Sequence, residues 1–281
     1  AAISACNAAG YNTYLNPSMI FIAPGTYVEN LTLLSNIGLS TLSGTLDYTV
    51  NIQGAHIYNN TTGNTSSNQI NLIGLQFQNP TNPASTIAFT GTAGARMRII
   101  DCSIDMGNNT GGNPTIYINN SGSGSPHVTL WGRITQSGVS KSAATGDTVQ
   151  IVAGGFNSYG YDISSTSGNA INMSGGSFNV GYGTIGSTGQ QVISASGGTG
   201  SISVAQVYNP TSNKDGILQS DASVITCGLV NFSIAGTTGY CVRGVGTLIY
   251  SGLTFTGAAG NTRIQTSLTR IPIPATPTFV V

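Results

Sequence analysis

Val50-Asn51-Ile52-Gln53-Gly54-Ala55-His56-Ile57 returns as Ile70-Asn71-Leu72-Ile73-Gly74-Leu75-Gln76-Phe77. It returns again as Ile171-Asn172-Met173-Ser174-Gly175-Gly176-Ser177-Phe178 and as Leu248-Ile249-Tyr250-Ser251-Gly252-Leu253-Thr254-Phe255. Each copy reads apolar, x, apolar, x, Gly, small or apolar, x, apolar. Alternation with a period of two is the mark of a strand with one buried face. The glycine marks a bend where a Cβ is costly. Looser copies fill the gaps, with Asp101, Gly132, Ala153, Gln206 and Gly228 at the bend. The mean spacing from Gly54 to Gly252 is about 25 residues, inside the range of solenoid repeats.

A second apolar pair precedes many of these bends: Ile87 and Phe89, Ile116 and Ile118, Tyr161 and Ile163, Val192 and Ile193, Ile217 and Leu218, Cys241 and Val242. Two strand signals per period predict coils with more than one strand each, the pattern of a parallel β-helix. Stacked at about 4.8 Å, roughly ten coils make a rod about 45–55 Å long. A β-sandwich or jelly roll with accidental repetition is the competing reading. Outward positions such as Asn51, Asn71, Thr129, Gln150, Asn172 and Ser203 are small and polar, suited to hydrogen-bonded ladders along the rod. The Gly/Asn/Ser stretches between strands are turns, so the chain reads as one domain: a cap over 1–18, the solenoid over 19–268 and an extended tail over 269–281.

Composition narrows the function. Of 281 residues, 39 are Gly and only 6% are charged, eight basic against eight acidic. Nucleic-acid binding has no basic patch to rest on, and no apolar run is long enough to insert in a membrane. A surface with so little charge has little protection against self-association and suits life inside an assembly. Cys6, Cys102, Cys227 and Cys241 form no Cys-x-x-Cys, and with only two histidines a zinc site is not supported. Buried thiols are the preferred reading, a Cys227–Cys241 bridge the alternative. No cofactor is expected.

The ends differ in kind. Ala2 to Ala9 reads as one or two helical turns that plug the first coil. Ile22-Ala23-Pro24-Gly25-Thr26-Tyr27-Val28-Glu29-Asn30-Leu31 follows after a short apolar strand. This opening resembles the first coil of the pectin-lyase-like superfamily of right-handed β-helices, where an Ala-rich stretch precedes a Pro-Gly-x-Tyr-x-Glu turn. Over about the first 110 residues it also resembles structural proteins of viruses, including tail fibres and tailspikes. The resemblance implies a right-handed parallel β-helix in which the Glu29 turn is structural. At the other end Pro272, Pro274 and Pro277 forbid a helix. Ile271, Ile273, Phe279 and Val280 would then lie along the chain's own rod or against a partner.

Catalytic chemistry has one candidate cluster, Arg98, Asp101 and Asp105, with a local surface ion pair as the simpler reading. Tyr58, Tyr117 and Trp131 are the candidates for stacking on sugar rings. The superfamily's enzymes are not matched. The Gln-Asp-Thr and Asp-Phe-x-Phe-Gly contexts of pectin methylesterases are missing. So are the calcium-binding acids of pectate lyases and the Asn-Thr-Asp, Asp-Asp and His-Gly sets of polygalacturonases. The leading expectation is a non-enzymatic structural or attachment component of a virion, such as a fibre, spike or capsid appendage. It would be in the particle or extracellular, partnered by copies of itself, a trimer among the options, by other virion proteins and by surface glycans. The alternatives are a polysaccharide depolymerase and a secreted cell-surface adhesin.

Overall fold

The computed structural model describes residues 2–43, 49–63, 67–81, 83–106, 111–132, 138–141, 146–211, 213–220, 222–235, 239–256, 264–265 and 267–272. The chain is a parallel β-solenoid preceded by one short helix, Ala2–Ala8. Each full coil has three strands. Arg96–Ile100 lies in the first sheet, Ser103–Asp105 in the second and Ile116–Asn120 in the third, and His127–Trp131 then returns to the first. Arg96–Ile100 pairs in parallel with Gln69–Ile73 on one side and His127–Trp131 on the other. Among the described residues the third sheet has eight strands, with single bridges, Thr32 to Ile57 and Val242 to Ile264, extending it at either end. Eight full coil levels, rather than ten, are therefore flanked by partial ones. The first and second sheets join into one 19-stranded system, because Gly198–Asn209 and Ser223–Ile234 run unbroken through the corner between them.

Inward side chains stack in register from coil to coil. In the third sheet the column is His56, Ile87, Ile116, Val149, Ile171, Ile193, Ile217 and Val242. In the first it is Ile70, Met97, Val128, Phe156, Phe178, Gly200, Ile225 and Leu248. Gly200 sits here because the Phe178 ring and Ile225 occupy the space a Cβ would need. No coil buries its own inward row. Stacking does so, and it lets the backbone groups of each strand bond to the coils on either side.

The corners explain why the sequence repeat is irregular. Gly74, Asp101, Gly132 and Gly252 do mark one kind of corner, from first sheet to second. Gly54 instead turns the second sheet into the third, and Ala153 and Gly175 lie where the third turns into the first. The mean spacing thus mixed three corners. At seven of the first-to-second corners the chain passes through a left-handed residue: Gly74, Asp101, Gly160, Tyr182, Val204, Leu229 or Gly252. The bends assigned to Gln206 and Gly228 fall instead at Val204, which no glycine marks, and at Leu229, one residue past Gly228.

Cys102, Cys227 and Cys241 are buried and Cys6 is half-buried, all as thiols outside any disulfide. Burial pushes the Cys102 and Cys227 thiols up to about 12. Buried Tyr161 reaches back to an earlier coil, where its hydroxyl accepts from the Cys102 backbone N–H at 3.0 Å and donates to the Ile99 carbonyl at 3.3 Å.

Candidate functional site

Arg98 is exposed in the middle of its first-sheet strand, in an outward row between Asn71 and Thr129. Asp101 occupies the left-handed corner that follows, with φ 48°, a conformation Asp tolerates better than most residues. Its N–H donates to the Trp131 carbonyl at 2.9 Å. Asp105 ends the next strand in the second sheet, half-buried, between Gln78 and Ser140. One of its carboxylate oxygens, Oδ1, is buried with no hydrogen-bond partner among the described residues. The corner thus puts Arg98 and Asp105 on different faces. Among the described residues no ion pair joins Arg98 to either acid. The ion pair that does form is Arg243 to Asp215, at 2.8 Å. Asp215 is buried and also accepts from the Tyr240 N–H at 2.9 Å. Burial raises its carboxyl above the usual carboxylate range, against the pull of that N–H and of Arg243.

The three aromatic candidates part company. Tyr58 points inward, is 1% exposed and shares a 2.8 Å hydrogen bond with Ser35 Oγ, so it offers no face to a ligand. Trp131 is 59% exposed at the first-to-second corner. Tyr117 is half-buried in the third sheet, in the outward row that runs Ile57, Ala88, Tyr117, Gln150, Asn172. Small Ala88 leaves room beside it. With the loops that carry Asn30, Ser85 and Asn113, this row forms an open groove of about 720 Å³. Its described lining includes Ile57, Thr90 and Gln150 and holds no acidic or basic side chain, His56 being neutral. The sequence signal for the groove was the Ile116-Tyr117-Ile118 alternation. What it could not show is that loops far apart in sequence would wall the strand row.

Glu29 lies in the turn that closes the first coil. Its N–H donates to the Gln53 carbonyl at 2.9 Å, and the neighbouring Asn30 side chain accepts from the Ala55 N–H at 2.8 Å. Gly54 is required opposite, because a Cβ there would collide with the Glu29 carbonyl. This arrangement holds two coils together through backbone groups. Ile271 is 47% exposed on the last first-sheet strand, Thr269–Pro272, where it pairs with Ile249. Ile273, Phe279 and Val280 lie outside the described residues. Among the described residues no group of three or more His, Cys, Asp or Glu comes together to hold a metal. No helix there is long and apolar enough to cross a membrane.

No family model and no curated protein matches this sequence. Three solved structures align with most of this chain. The A-module of the mannuronan C-5 epimerase AlgE6 from Azotobacter vinelandii aligns over 98% of this chain and 94% of its own, at 10% identity and a TM-score of 0.48. A pectin methylesterase from Yersinia enterocolitica aligns over 92% and 90%, at 10% identity and 0.35. The surface protein and adhesin PfbA of Streptococcus pneumoniae aligns over 95% and 93%, at 8% identity and 0.28.

Proposed function

We propose that this chain is a non-enzymatic structural and attachment module that takes neutral glycan segments in the groove of its third sheet. The carrying observation is the lining of that groove. Tyr117 supplies a ring face, Asn30, Asn113 and Gln150 supply amides, and the described lining holds no carboxyl group to protonate a leaving group or activate water. Recognition of an uncharged sugar needs ring stacking and paired amides, and this surface holds both. Placement in a virion, as fibre, spike or capsid appendage, rests on the near absence of charge and on the opening turn. Partners there would be other particle proteins.

Two measurements test the reading. Electron microscopy of the source material should find the chain as a repeated rod in a particle. Incubation with a panel of polysaccharides should leave them intact, while neutral oligosaccharides bind and Tyr117→Ala weakens binding about tenfold or more. Release of reducing or unsaturated ends, abolished by Asp105→Asn, would establish the depolymerase reading instead. Copurification with cell envelopes rather than particles would establish the adhesin.

A further inference from the structure

The last outward position of each first-sheet strand and the corner residue after it trade places in size. From Gln69–Ile73 to Gly155–Tyr159 the outward residue is large and the next is small: Ile73 with Gly74, Ile100 with Asp101, Trp131 with Gly132, Tyr159 with Gly160. From Ser177–Gly181 onward the order reverses: Gly181 with Tyr182, Ser203 with Val204, Gly228 with Leu229. The outward positions are in register throughout, Ile73 to Ile100 to Trp131 to Tyr159 to Gly181 to Ser203 to Gly228. Every coil over this stretch therefore places one large apolar side chain on the same edge of the rod. Trp131 and Tyr159 stand 6.5 Å apart, ring centre to centre.

The second half of this ridge is held against two unfavourable terms. Tyr182, Val204 and Leu229 are left-handed, at φ 58°, 49° and 53°, and are 59%, 44% and 65% exposed. A left-handed non-glycine residue is strained, and a β-branched one most of all. Gly74, Gly160 and Gly252 occupy the same corner without that strain. The corner itself needs no large cover, since at Ser251–Gly252 neither residue is large. Strain and exposure coinciding on successive coils point to a surface with a partner.

We propose that this ridge is the lateral contact between copies of this chain, lying side by side with their axes parallel. The ridge carries one charge, Asp101, and polar rows flank it: Asn71, Arg98, Thr129, Asn157 and Asn179 on one side, Gln78, Asp105 and Ser164 on the other. An apolar centre with a polar rim is the anatomy of a protein interface. On one coil Arg98 flanks the ridge and Asp101 lies at its corner, so level copies bring Arg98 of one toward Asp101 of the next. The ridge is about 30 Å long at the coil spacing. With its flanks that suits the roughly 1,000 Å² two copies must bury. A saccharide fits less well, because Ile73, Ile100, Val204 and Leu229 present no ring to stack on. This surface is separate from the third-sheet groove, so the two readings stand or fall independently.

The full chain should sediment as an oligomer at micromolar concentration. Emission from Trp131, its single tryptophan, should shift to the blue as concentration rises. Combining Tyr182→Gly, Val204→Gly and Leu229→Gly should raise the dissociation constant at least about 100-fold without lowering the thermal midpoint. Trp131→Ser should also weaken association, and Leu218→Ser on the third sheet should not. A single-chain mass at 100 μM would overturn the proposal, as would an oligomer that survives both ridge variants. So would a monomer whose Trp131 emission responds to neutral oligosaccharide, which would make the ridge a sugar platform.

Discussion

His56 heads a column that is otherwise aliphatic, followed inward by Ile87, Ile116 and Val149. Its Nδ1 accepts from the Leu31 N–H at 3.3 Å, so the proton sits on Nε2, which is buried without a partner among the described residues, and the ring meets Phe77 edge-on at 5.2 Å. Burial lowers its pKa to about 4. Between that value and the ordinary 6.5 the unfolded chain takes up a proton that the folded chain refuses. His56 therefore costs nothing above about pH 7, and stability falls as pH drops from 6.5 toward 4, by about 3 kcal/mol. Urea titrations across pH 3.5–8 should show that slope, and His56→Gln should flatten it. Asp215, with its raised carboxyl, acts in the opposite sense and gains stability on acidification, so the His56 slope is best read as the difference between the two proteins. Single residues were legible where their chemistry matched their conformation. Asp101 could be read as a bend because Asp accepts the left-handed region. Val204 and Leu229 could not, because aliphatic residues normally avoid it. The inward placement of Tyr58 is hidden in the sequence, because strand parity across the Gly54 corner depends on the corner's geometry.

At the scale of a coil, the decisive contacts run between one corner and the next. Gly91 ends the third-sheet strand Ile87–Gly91 with φ 131°, and a Cβ there would collide with the Asn60 carbonyl one coil away. That carbonyl already accepts from the Thr92 and Ala93 N–H groups at 3.0 and 3.1 Å, so it cannot move without giving up both. Gly91→Ala should destabilise the fold by about 2–4 kcal/mol, read from the denaturation midpoint, while exposed Thr92→Ala should change it little. The strand repeat was legible because inward positions must be apolar on every coil. The number of strands per coil was not, since three corners with similar Gly-rich chemistry look alike in sequence. The Arg98, Asp101 and Asp105 cluster suffered from the same ambiguity: adjacency along the chain hides a corner that sends its members to different faces.

The whole rod has two ends to protect. The helix Ala2–Ala8 buries none of its residues fully, yet Ile3 packs against the core, and a cavity of about 250 Å³ remains between it and Ile20, Ile22, Leu31, Leu39 and Ile52. Deleting residues 1–9 should expose the apolar floor of that cavity, lower the thermal midpoint and raise binding of an apolar dye. An unchanged midpoint would show that the helix caps nothing. The Ala-rich composition made this helix legible, but its loose seating depends on packing that composition does not encode.

The pairing of Phe178 with Gly200 bears on how such a rod changes length in evolution. Because the first-sheet column is a sequence of sizes, coils are not interchangeable units. Excising one coil so that Phe156 rather than Phe178 met Gly200 joins a large ring to the same vacancy and can be absorbed. Excising the Gly200 coil brings Phe178 directly onto Ile225, with no recess to receive the ring. Duplication and loss should therefore be tolerated unevenly along the rod, in whole coils and only at joints whose side-chain sizes still match.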